Sequence, residues 1–238
     1  MNNDIFIIIP SRIGSTRLKN KPLADLNGKT LIQRVFNKAK EVTNNVIIAT
    51  DSKEIIDHCK QFNAECILTD KNHISGTDRI FEAATKLNLK NEQFIINLQG
   101  DEPFMKKELI DQIIHDFYQY KCDVITASHK LDQVDFINPN SVKVYAKKGY
   151  ADNFCRLPAK SRDYQKHVGI YGYCFKTLKQ IVSLEPTANE KEHKLEQLRF
   201  MDNGMSIYVS EFNENIVSGI DTQDDLNNAI EYIKNNED

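Results

Sequence analysis

The first segment whose residue types suggest chemistry is a basic loop at positions 10–22, Pro-Ser-Arg-Ile-Gly-Ser-Thr-Arg-Leu-Lys-Asn-Lys-Pro. It carries four cations between positions 12 and 21, and no acidic residue occurs from Ile5 through Ala24. Gly14 and its small neighbours let backbone N–H groups approach an anion, and arginine and lysine add charge-assisted hydrogen bonds. The loop therefore predicts a polyphosphate site, although a basic loop that only faces water has the same composition.

Two standard phosphate motifs are absent from the sequence. Gly28-Lys29-Thr30 resembles the end of a Walker A loop, but the glycine required five residues before Gly28 is replaced by Leu23. No G-x-G-x-x-G pattern occurs. The sequence thus excludes a P-loop and offers no fingerprint for dinucleotide binding.

Two aspartates are candidates for a divalent metal site. Asp101 follows the apolar run at 94–98, where a buried strand ends and carboxylates reach the ligand-binding edge of a sheet. Mg²⁺ in phosphate chemistry is usually held by one or two carboxylates together with phosphate oxygens, and Asp221 is the second candidate. Each aspartate can instead cap a helix, and Asp221 also precedes a helical segment.

A polar loop at 73–79, His-Ile-Ser-Gly-Thr-Asp-Arg, leads into a predicted helix. Its hydroxyls, including that of Ser75, and its backbone donors can contact a base or a phosphate, and Arg79 adds a cation in the first helical turn. A capping turn explains Thr77 and Asp78 equally well. His73 alone is more typical of a surface or hydrogen-bonded histidine than of a ligand.

The elements that must position these loops alternate between strand and helix. Apolar runs predict strands at 5–9, 46–49, 66–68, 94–98 and 124–127, and helical periodicity predicts helices at 30–42, 52–62, 78–87 and 107–118. Such alternation is typical of an α/β fold with a mostly parallel sheet and helices on both faces. Its ligands lie at the carboxyl ends of the strands.

The pattern changes after residue 130. Strands are predicted at 141–146, 168–175 and 206–211, a charged amphipathic helix at 191–203 and a terminal helix at 222–234. We predict a single domain over 1–238 with an inserted lobe at about 130–210, and insertions of this kind often complete a substrate pocket.

Composition narrows the class of protein. The chain has 238 residues, with 31 Lys+Arg against 34 Asp+Glu and a formal net charge of −3, so it lacks the overall basic charge of a nucleic-acid binder. Five scattered cysteines without a C-x-x-C pair predict a reducing compartment and no structural zinc. The apolar run at 5–9 is too short for a signal peptide or a membrane helix, so we expect a cytoplasmic protein that binds neither membrane nor nucleic acid.

The motifs together resemble the 3-deoxy-manno-octulosonate cytidylyltransferases, or CMP-KDO synthetases, over nearly the whole chain. The first loop is shared by many nucleotidyltransferases, whereas the later motifs are more specific. The matching segments are Ile-Pro-Ser-Arg, Ser-Thr-Arg-Leu and Lys-Pro-Leu at 9–23, Ala-Thr-Asp at 49–51, His-x-Ser-Gly-Thr-Asp-Arg at 73–79, Asn-Leu-Gln-Gly-Asp-Glu-Pro at 97–103, Asn-Pro-Asn-Ser-Val-Lys-Val at 138–144, His-Val-Gly-Ile-Tyr-Gly-Tyr at 167–173, Leu-Glu-Gln-Leu-Arg at 195–199 and Asp-Thr-x-x-Asp-Leu at 221–226.

The resemblance implies a Rossmann-like, GT-A-type nucleotidyltransferase fold. It also implies an Mg²⁺-dependent transfer of CMP from CTP to the acid sugar KDO, which activates KDO for lipopolysaccharide synthesis. A homodimer formed through the inserted lobe is implied as well. By resemblance, Lys21, Asp101 and Asp221 are catalytic and the two aspartates bind the metal. The nucleotide residues are Pro10, Ser11, Arg12, Lys21, Ser75, Arg79 and Gln99, and the sugar residues are Gln99, Arg156, His167, Tyr171, Glu196 and Gln197.

One segment departs from the family pattern. Family members commonly carry Phe-Ser-Arg, two further residues and Ile-Pro, whereas this chain reads Phe-Cys-Arg-Leu-Pro at 154–158 and is two residues shorter. A related acid sugar such as 8-amino-KDO therefore stays open as the acceptor.

Two other classes of function remain as alternatives. A nucleotide-sugar glycosyltransferase predicts a D-x-D acid pair, whereas Asp101 and Glu102 are adjacent. A nucleotide-sensing module predicts the loss of a catalytic residue, whereas Arg12, Lys21 and both aspartates are present.

Overall fold

The computed structural model describes residues 4–15, 17–158 and 162–236. Thr16 of the basic loop lies outside the described residues. The chain divides into two compact units, the first comprising Met1–Lys107 with Val217–Asp238 and the second Glu108–Ile216. The stretch predicted as an inserted lobe, about 130–210, falls within the second unit, which begins at Glu108.

The described residues of the first unit form four strands: β1 (Ile5–Ser11), β2 (Val46–Thr50), β3 (Glu65–Leu68) and β4 (Phe94–Asn97). They lie in the order β3-β2-β1-β4 and every pairing among them is parallel. β2 and β4 are buried along their whole length, as their continuous β-branched and aromatic runs predict. Because the strands are parallel, the loops after β1, β2 and β4 leave from one edge of the sheet.

The helices of the first unit are α1 (Leu31–Lys40), α2 (Lys53–Cys59), α3 (Gly76–Lys86) and α9 (Gln223–Asn236). Ser52 caps α2 by accepting the N–H of Ile55, as its position before the helix suggests. Ser75 begins α3 with a capping box, in which its side chain accepts the N–H of Asp78 while Asp78 accepts the N–H of Ser75.

In the second unit, the part that the structure describes forms five strands: β5 (Val124–His129), β6 (Lys143–Lys147), β7 (Tyr150–Cys155), β8 (Gln165–Cys174) and β9 (Ile207–Phe212). Their order is β8-β5-β9-β7-β6, and β6 also pairs with β8. Only β5 and β9 run parallel, which departs from the mostly parallel pattern predicted from the sequence. The two-residue turn of the β6–β7 hairpin has positive φ at Lys148 and Gly149, as a type I′ turn requires.

The helices of the second unit are α4 (Lys107–Gln119, which starts at the unit boundary), α5 (Gln133–Ile137), α6 (Phe175–Val182), α7 (Ala188–His193) and α8 (Gln197–Asp202). The single helix predicted at 191–203 is wrong. The helix is interrupted at Lys194, which takes a left-handed conformation (φ 54°) and donates its backbone N–H to the carbonyl of Glu190. Amphipathic spacing continues across this break, so periodicity alone does not reveal it.

No helix within 4–15, 17–158 or 162–236 has both the length and the hydropathy needed to cross a bilayer. The cysteines, all five of which are described, carry free thiols.

Gly149→Ala tests the turn of the β6–β7 hairpin. A Cβ there would lie 2.5 Å from Cε2 of Tyr208, whose ring is stacked on Tyr120 at 4.2 Å and cannot move aside freely. The alanine would be strained by the positive φ at this position and would also overpack against Tyr208. We therefore expect a loss of roughly 2–4 kcal/mol in the free energy of unfolding. Urea denaturation measures it.

Gly204→Ala is the matched control. Gly204 also has positive φ (75°), but a Cβ there meets no atom within 4 Å, so only the backbone strain of about 1 kcal/mol is expected. Equal losses in the two variants would contradict the role of Tyr208.

Candidate active site

The carboxyl edge of the first unit encloses a cleft of about 280 Å³. Its walls come from the loops after β1 and β4, the start of α3 and the segment that precedes α9. The lining residues are Pro10, Ser11, Arg12, Ser15, Arg17, Lys21, Pro22, His73, Ile74, Ser75, Gly76, Arg79, Gln99, Gly100, Asp101 and Asp221. The structure thus brings together every nucleotide and metal residue predicted from the sequence.

Gly100 lets the loop after β4 approach the end of β1. A Cβ at this position would lie 2.8 Å from the carbonyl oxygen of Pro10, a backbone atom that cannot rotate away. The glycine therefore sets how closely the Asp101 loop lies against the basic loop.

Lys21 joins the two predicted metal ligands. Its Nζ lies 2.7 Å from Oδ2 of Asp101 and 2.8 Å from Oδ1 of Asp221, and its side chain is only 14% exposed. Burial by itself lowers the pKa of Lys21, but the charge and hydrogen bonds of Asp101 and then Asp221 outweigh it, so the pKa is raised overall. Lys21 is therefore charged, and the two carboxylates face one cation.

The segment before α9 positions Asp221 beside Lys21. Ile220 donates its N–H to the carbonyl of Asp101 at 2.9 Å, and a Cβ on Gly219 would lie 2.8 Å from Oε1 of Glu102. The cap of α9 is made by Thr222 and Asp225, which exchange backbone and side-chain hydrogen bonds. Asp221 is thus not the capping residue, and its carboxylate faces Lys21 and Arg17 instead.

The pair Asp101 and Asp221 fits a divalent metal held jointly with a phosphate. The two carboxylates already converge on one positive group, and Mg²⁺ commonly takes one or two protein carboxylates with substrate oxygens completing its shell. Within the part of the chain that the structure describes, no group of three or more His, Cys, Asp and Glu side chains could hold a metal by itself. The donor set therefore suits a metal that arrives with a phosphate.

Ser11 and Arg12 present unused hydrogen-bonding groups at the cleft. The Oγ of Ser11 is buried and has no hydrogen-bond partner among the described residues, which is unusual for a native hydroxyl and suits contact with a ligand. Arg12 is exposed and, among the described residues, makes no hydrogen bond or ion pair. Both residues are therefore available to an anion.

Arg79 makes its hydrogen bonds to neighbouring loops of the protein. Its guanidinium is 4% exposed and contacts Oδ2 of Asp51 at 3.2 Å, Oγ1 of Thr69 at 2.5 Å and the carbonyl of Asp70 at 3.4 Å. Although Arg79 lines the cleft, these bonds make it a support for the surrounding loops. Ser75 is similarly engaged by the capping box of α3.

The sequence offered Asp51 or Ser52 as the cap of α2; Ser52 is the cap, and Asp51 instead supports the cleft. Its Oδ1 accepts the N–H of Ile13 in the basic loop, and its Oδ2 accepts from Arg79. One carboxylate, with its side chain 12% exposed, therefore links the basic loop to α3. Its place directly after β2, at the same sheet edge as Asp101, was the available signal.

Gln99 belongs to the first unit, where its Nε2 donates to Oδ1 of the buried Asn97 at 2.8 Å. The other residues predicted to bind the sugar all lie in the second unit. They are Arg156, His167, Tyr171, Glu196 and Gln197.

His167 and Tyr171 lie close together on β8. Their ring centroids are 5.5 Å apart, and burial lowers the pKa of His167 to about 3. Thr126 has one hydroxyl proton, which it gives to the carbonyl of Ile170 at 2.7 Å, so it accepts from Nε2–H of His167 at 2.9 Å. His167 is therefore neutral with Nδ1 as an acceptor. Burial, followed by the charge of Glu196, raises the pKa of Tyr171.

Arg156 fastens two turns of the second unit. Its Nε, Nη1 and Nη2 donate to the carbonyls of His193, Pro139 and Lys194 at 3.1–3.2 Å. The fully buried Lys143 holds the carbonyl of Arg156 itself at 2.7 Å. Gln197, the first residue of α8, is buried, and Glu196 immediately precedes it.

Comparisons with known proteins identify the family of this chain. The family described as Cytidylyltransferase matches residues 6–207. A protein named 3-deoxy-manno-octulosonate cytidylyltransferase from Elusimicrobium minutum (strain Pei191) is 42% identical, with 98% of this chain and 99% of that protein covered. One of the same name from Thermodesulfovibrio yellowstonii (strain ATCC 51303 / DSM 11347 / YP87) is 41% identical, with coverage of 92% and 94%.

Solved structures give the same result. One described as CMP:2-keto-3-deoxy-manno-octonic acid synthetase complexed with CTP has a TM-score of 0.91 at 33% identity, covering 97% of this chain and 98% of that chain. A 4-diphosphocytidyl-2C-methyl-D-erythritol synthase from Anaerococcus prevotii DSM 20548 shares the fold, with a TM-score of 0.63, 16% identity and coverage of 98% and 100%. This chain belongs to the 3-deoxy-manno-octulosonate cytidylyltransferase family.

Proposed function

We propose that this protein transfers CMP from CTP to the anomeric hydroxyl of KDO, releasing pyrophosphate. The observation that carries the proposal is the convergence of Lys21, Asp101 and Asp221 beside a basic loop with unused donors, in a chain of this family. Such a site suits a nucleoside triphosphate better than a preformed nucleotide sugar, because the latter brings less charge. The alternative of a glycosyltransferase is accordingly weaker.

The cleft of the first unit binds the triphosphate in this proposal. Arg12 and Lys21 supply charge to the phosphates, and the unpartnered hydroxyl of Ser11 donates to a phosphate oxygen. Pro10, Ser75, Gln99 and Arg79 complete the nucleotide site, with Arg79 acting mainly through the loops that it supports.

The reaction is an in-line displacement at the α-phosphorus. The anomeric oxygen of KDO bonds to phosphorus, the bond from phosphorus to the pyrophosphate oxygen breaks, and the hydroxyl proton passes to solvent. Little covalent chemistry falls to the protein, so orientation and charge neutralisation provide the rate. Lys21 is the charged donor held at the site for this purpose.

Asp101 and Asp221 would hold Mg²⁺ together with phosphate oxygens. When bound, the ion supplies positive charge that offsets the charge of the phosphates and of the leaving pyrophosphate. Lys21 holds the two carboxylates near one another at the cleft.

The sugar residues of the second unit supply mixed hydrogen-bonding groups for a polyhydroxy acid. His167 offers an acceptor at Nδ1, while Glu196 and Gln197 add a carboxylate and an amide. Arg156 uses three of its five N–H donors on backbone carbonyls of the described residues, and the other two can donate to the sugar carboxylate.

We further propose a cytoplasmic homodimer that works in lipopolysaccharide biosynthesis. The dimer is expected to form through the second unit, which bears exposed Val134, Ile137 and Leu157. Multi-angle light scattering of the purified protein measures its mass in solution, and the mass of a monomer would contradict the proposed dimer.

Pyrophosphate release is the direct test of the reaction. With Mg²⁺ present, we expect release only when CTP and KDO are supplied together, and none with UTP, ATP or GTP. Release with 8-amino-KDO but not with KDO would keep the chemistry and change the acceptor, which would implicate the shortened segment at 154–158. No pyrophosphate release with any pair of nucleotide and sugar would contradict the proposed reaction.

Asp101→Asn tests the metal pair. Loss of one carboxylate from a two-carboxylate site should lower turnover at least about a hundredfold and weaken Mg²⁺ binding, while the thermal unfolding midpoint stays within a few degrees. Activity against Mg²⁺ concentration, together with calorimetric thermal unfolding, measures both. Asp57→Asn, at a carboxylate 69% exposed on α2, is the control and should behave like the unmodified protein.

Glu196→Gln tests the sugar residues. Loss of a charged acceptor should raise the KM for KDO about tenfold and leave the KM for CTP within twofold, because CTP is assigned to the first unit. Steady-state kinetics with each substrate varied in turn separates the two constants. Glu192→Gln, at an exposed position of α7, is the control. Equal changes in both KM values would argue against a sugar contact.

A further inference from the structure

Three charged side chains on one face of α3 hold the loop that precedes this helix. Arg79, Glu82 and Lys86 follow the i, i+3, i+7 spacing that places side chains above one another. Arg79 bonds to Thr69 and Asp70, as described above. Lys86 donates to the carbonyl of Leu68 at 2.7 Å and to Oε1 of Glu82 at 2.6 Å. The loop is thus fixed from its start.

The carboxylate of Glu82 also fixes His73, which lines the cleft. Its Oε2 accepts the N–H of Asp70 at 2.8 Å and contacts Nε2 of His73 at 2.5 Å. Burial alone raises the pKa of Glu82, but hydrogen bonds from Lys86, Asp70 and His73 outweigh it and lower the pKa to about 2. An ionised carboxylate only accepts hydrogen bonds, so Nε2 of His73 carries the proton.

This assignment leaves Nδ1 as the ring atom available to a ligand. Among the described residues, Nδ1 of His73 has no hydrogen-bond partner, and His73 lines the cleft with its side chain 21% exposed. Arg12, Arg17 and Lys21 line the same cleft. The neutral ring with Nε2 protonated has an acceptor at Nδ1.

We propose that His73 is a specificity-determining residue that accepts, at Nδ1, a hydrogen bond from the nucleoside, and that Glu82 is the positioning residue that orients it. The inference rests on the proposed function, in which the cleft binds CTP. Phosphate oxygens at neutral pH have no proton to give to an acceptor. The donors on the nucleoside are the ribose hydroxyls and the cytosine amino group, which are the two sources that the test must separate.

The test measures nucleotide binding by titration calorimetry with Mg²⁺ and without sugar. The ligands are CTP, 2′-deoxy-CTP, 3′-deoxy-CTP and the pyrimidin-2-one ribonucleoside triphosphate, which lacks the amino group. We expect His73→Ala to weaken CTP binding roughly tenfold, which is the range for one lost hydrogen bond. Binding of the one analogue that lacks the bonded donor should change less than twofold, which identifies that donor.

Substitutions at Glu82 test its positioning role. Glu82→Gln keeps an oxygen acceptor for His73 and should bind CTP within about threefold of the unmodified protein, whereas Glu82→Ala should lose as much as His73→Ala. The double variant should be no worse than either single one, since residues that act through one contact are not additive. Additive losses would overturn the role of Glu82.

His115→Gln is the matched control. His115 also contacts a carboxylate, Asp116, at 3.1 Å, but it is 70% exposed and lies in the second unit. Its substitution should leave nucleotide binding unchanged. Thermal unfolding midpoints for all variants identify any that fail to fold, and in that case His73→Gln provides the comparison.

The outcomes separate this inference from the proposed function. An equal loss for all four nucleotides, or no loss with CTP, would overturn the contact between His73 and the nucleoside. Binding of CTP without turnover of KDO would contradict the proposed reaction, while the analogue comparison would still decide the role of His73. Failure of the unmodified protein to bind any of the nucleotides would overturn both.

Discussion

The ion pairs that Lys21 makes with Asp101 and Asp221 organise the catalytic end of the first unit. They join three segments far apart in sequence: the basic loop, the loop after β4 and the chain before α9. Two carboxylates that converge without a cation would repel each other. The lysine removes that repulsion and occupies the region where phosphates and a metal are proposed to bind, so the same charges serve the fold and the reaction.

A second set of polar contacts fixes the loops that form the cleft. Asp51 joins the basic loop to Arg79, and Glu82 joins the loop before α3 to its helix. Both carboxylates accept backbone N–H groups of loop residues, namely those of Ile13 and Asp70. Charged groups near a binding cleft therefore have two separate tasks, since some remain available to a ligand and others hold the loops that present them.

The second unit uses buried cations in a different way. Lys143 is fully buried and donates to the carbonyls of Asn138, Ser141 and Arg156 at 2.6–2.8 Å, with no carboxylate among these bonds. Burial lowers its pKa. Arg156 also binds three carbonyls, so two cations fasten the turns around the proposed sugar residues. Carbonyl dipoles satisfy the hydrogen-bonding groups of the ammonium without cancelling its charge.

The sequence by itself determined the strands and helices of the first unit, since buried strands and amphipathic helices leave distinct periodicities. It also singled out Asp101 and Asp221 by their positions next to predicted elements. In the second unit, periodicity missed β7, α5 and α6 and predicted one helix where Lys194 separates two. The antiparallel pairings were missed as well, because strand direction depends on partners distant in the chain.

Only the tertiary structure decided which charges meet. The composition of the 10–22 loop does not distinguish Lys21, bonded to two aspartates, from Arg12, which is exposed to solvent. Nor does the spacing of the 73–79 motif show that Arg79 supports loops while His73 is held by Glu82. Ion pairs and hydrogen bonds form between atoms within a few ångströms, and sequence separation, here up to 200 residues between Lys21 and Asp221, carries no information about that distance.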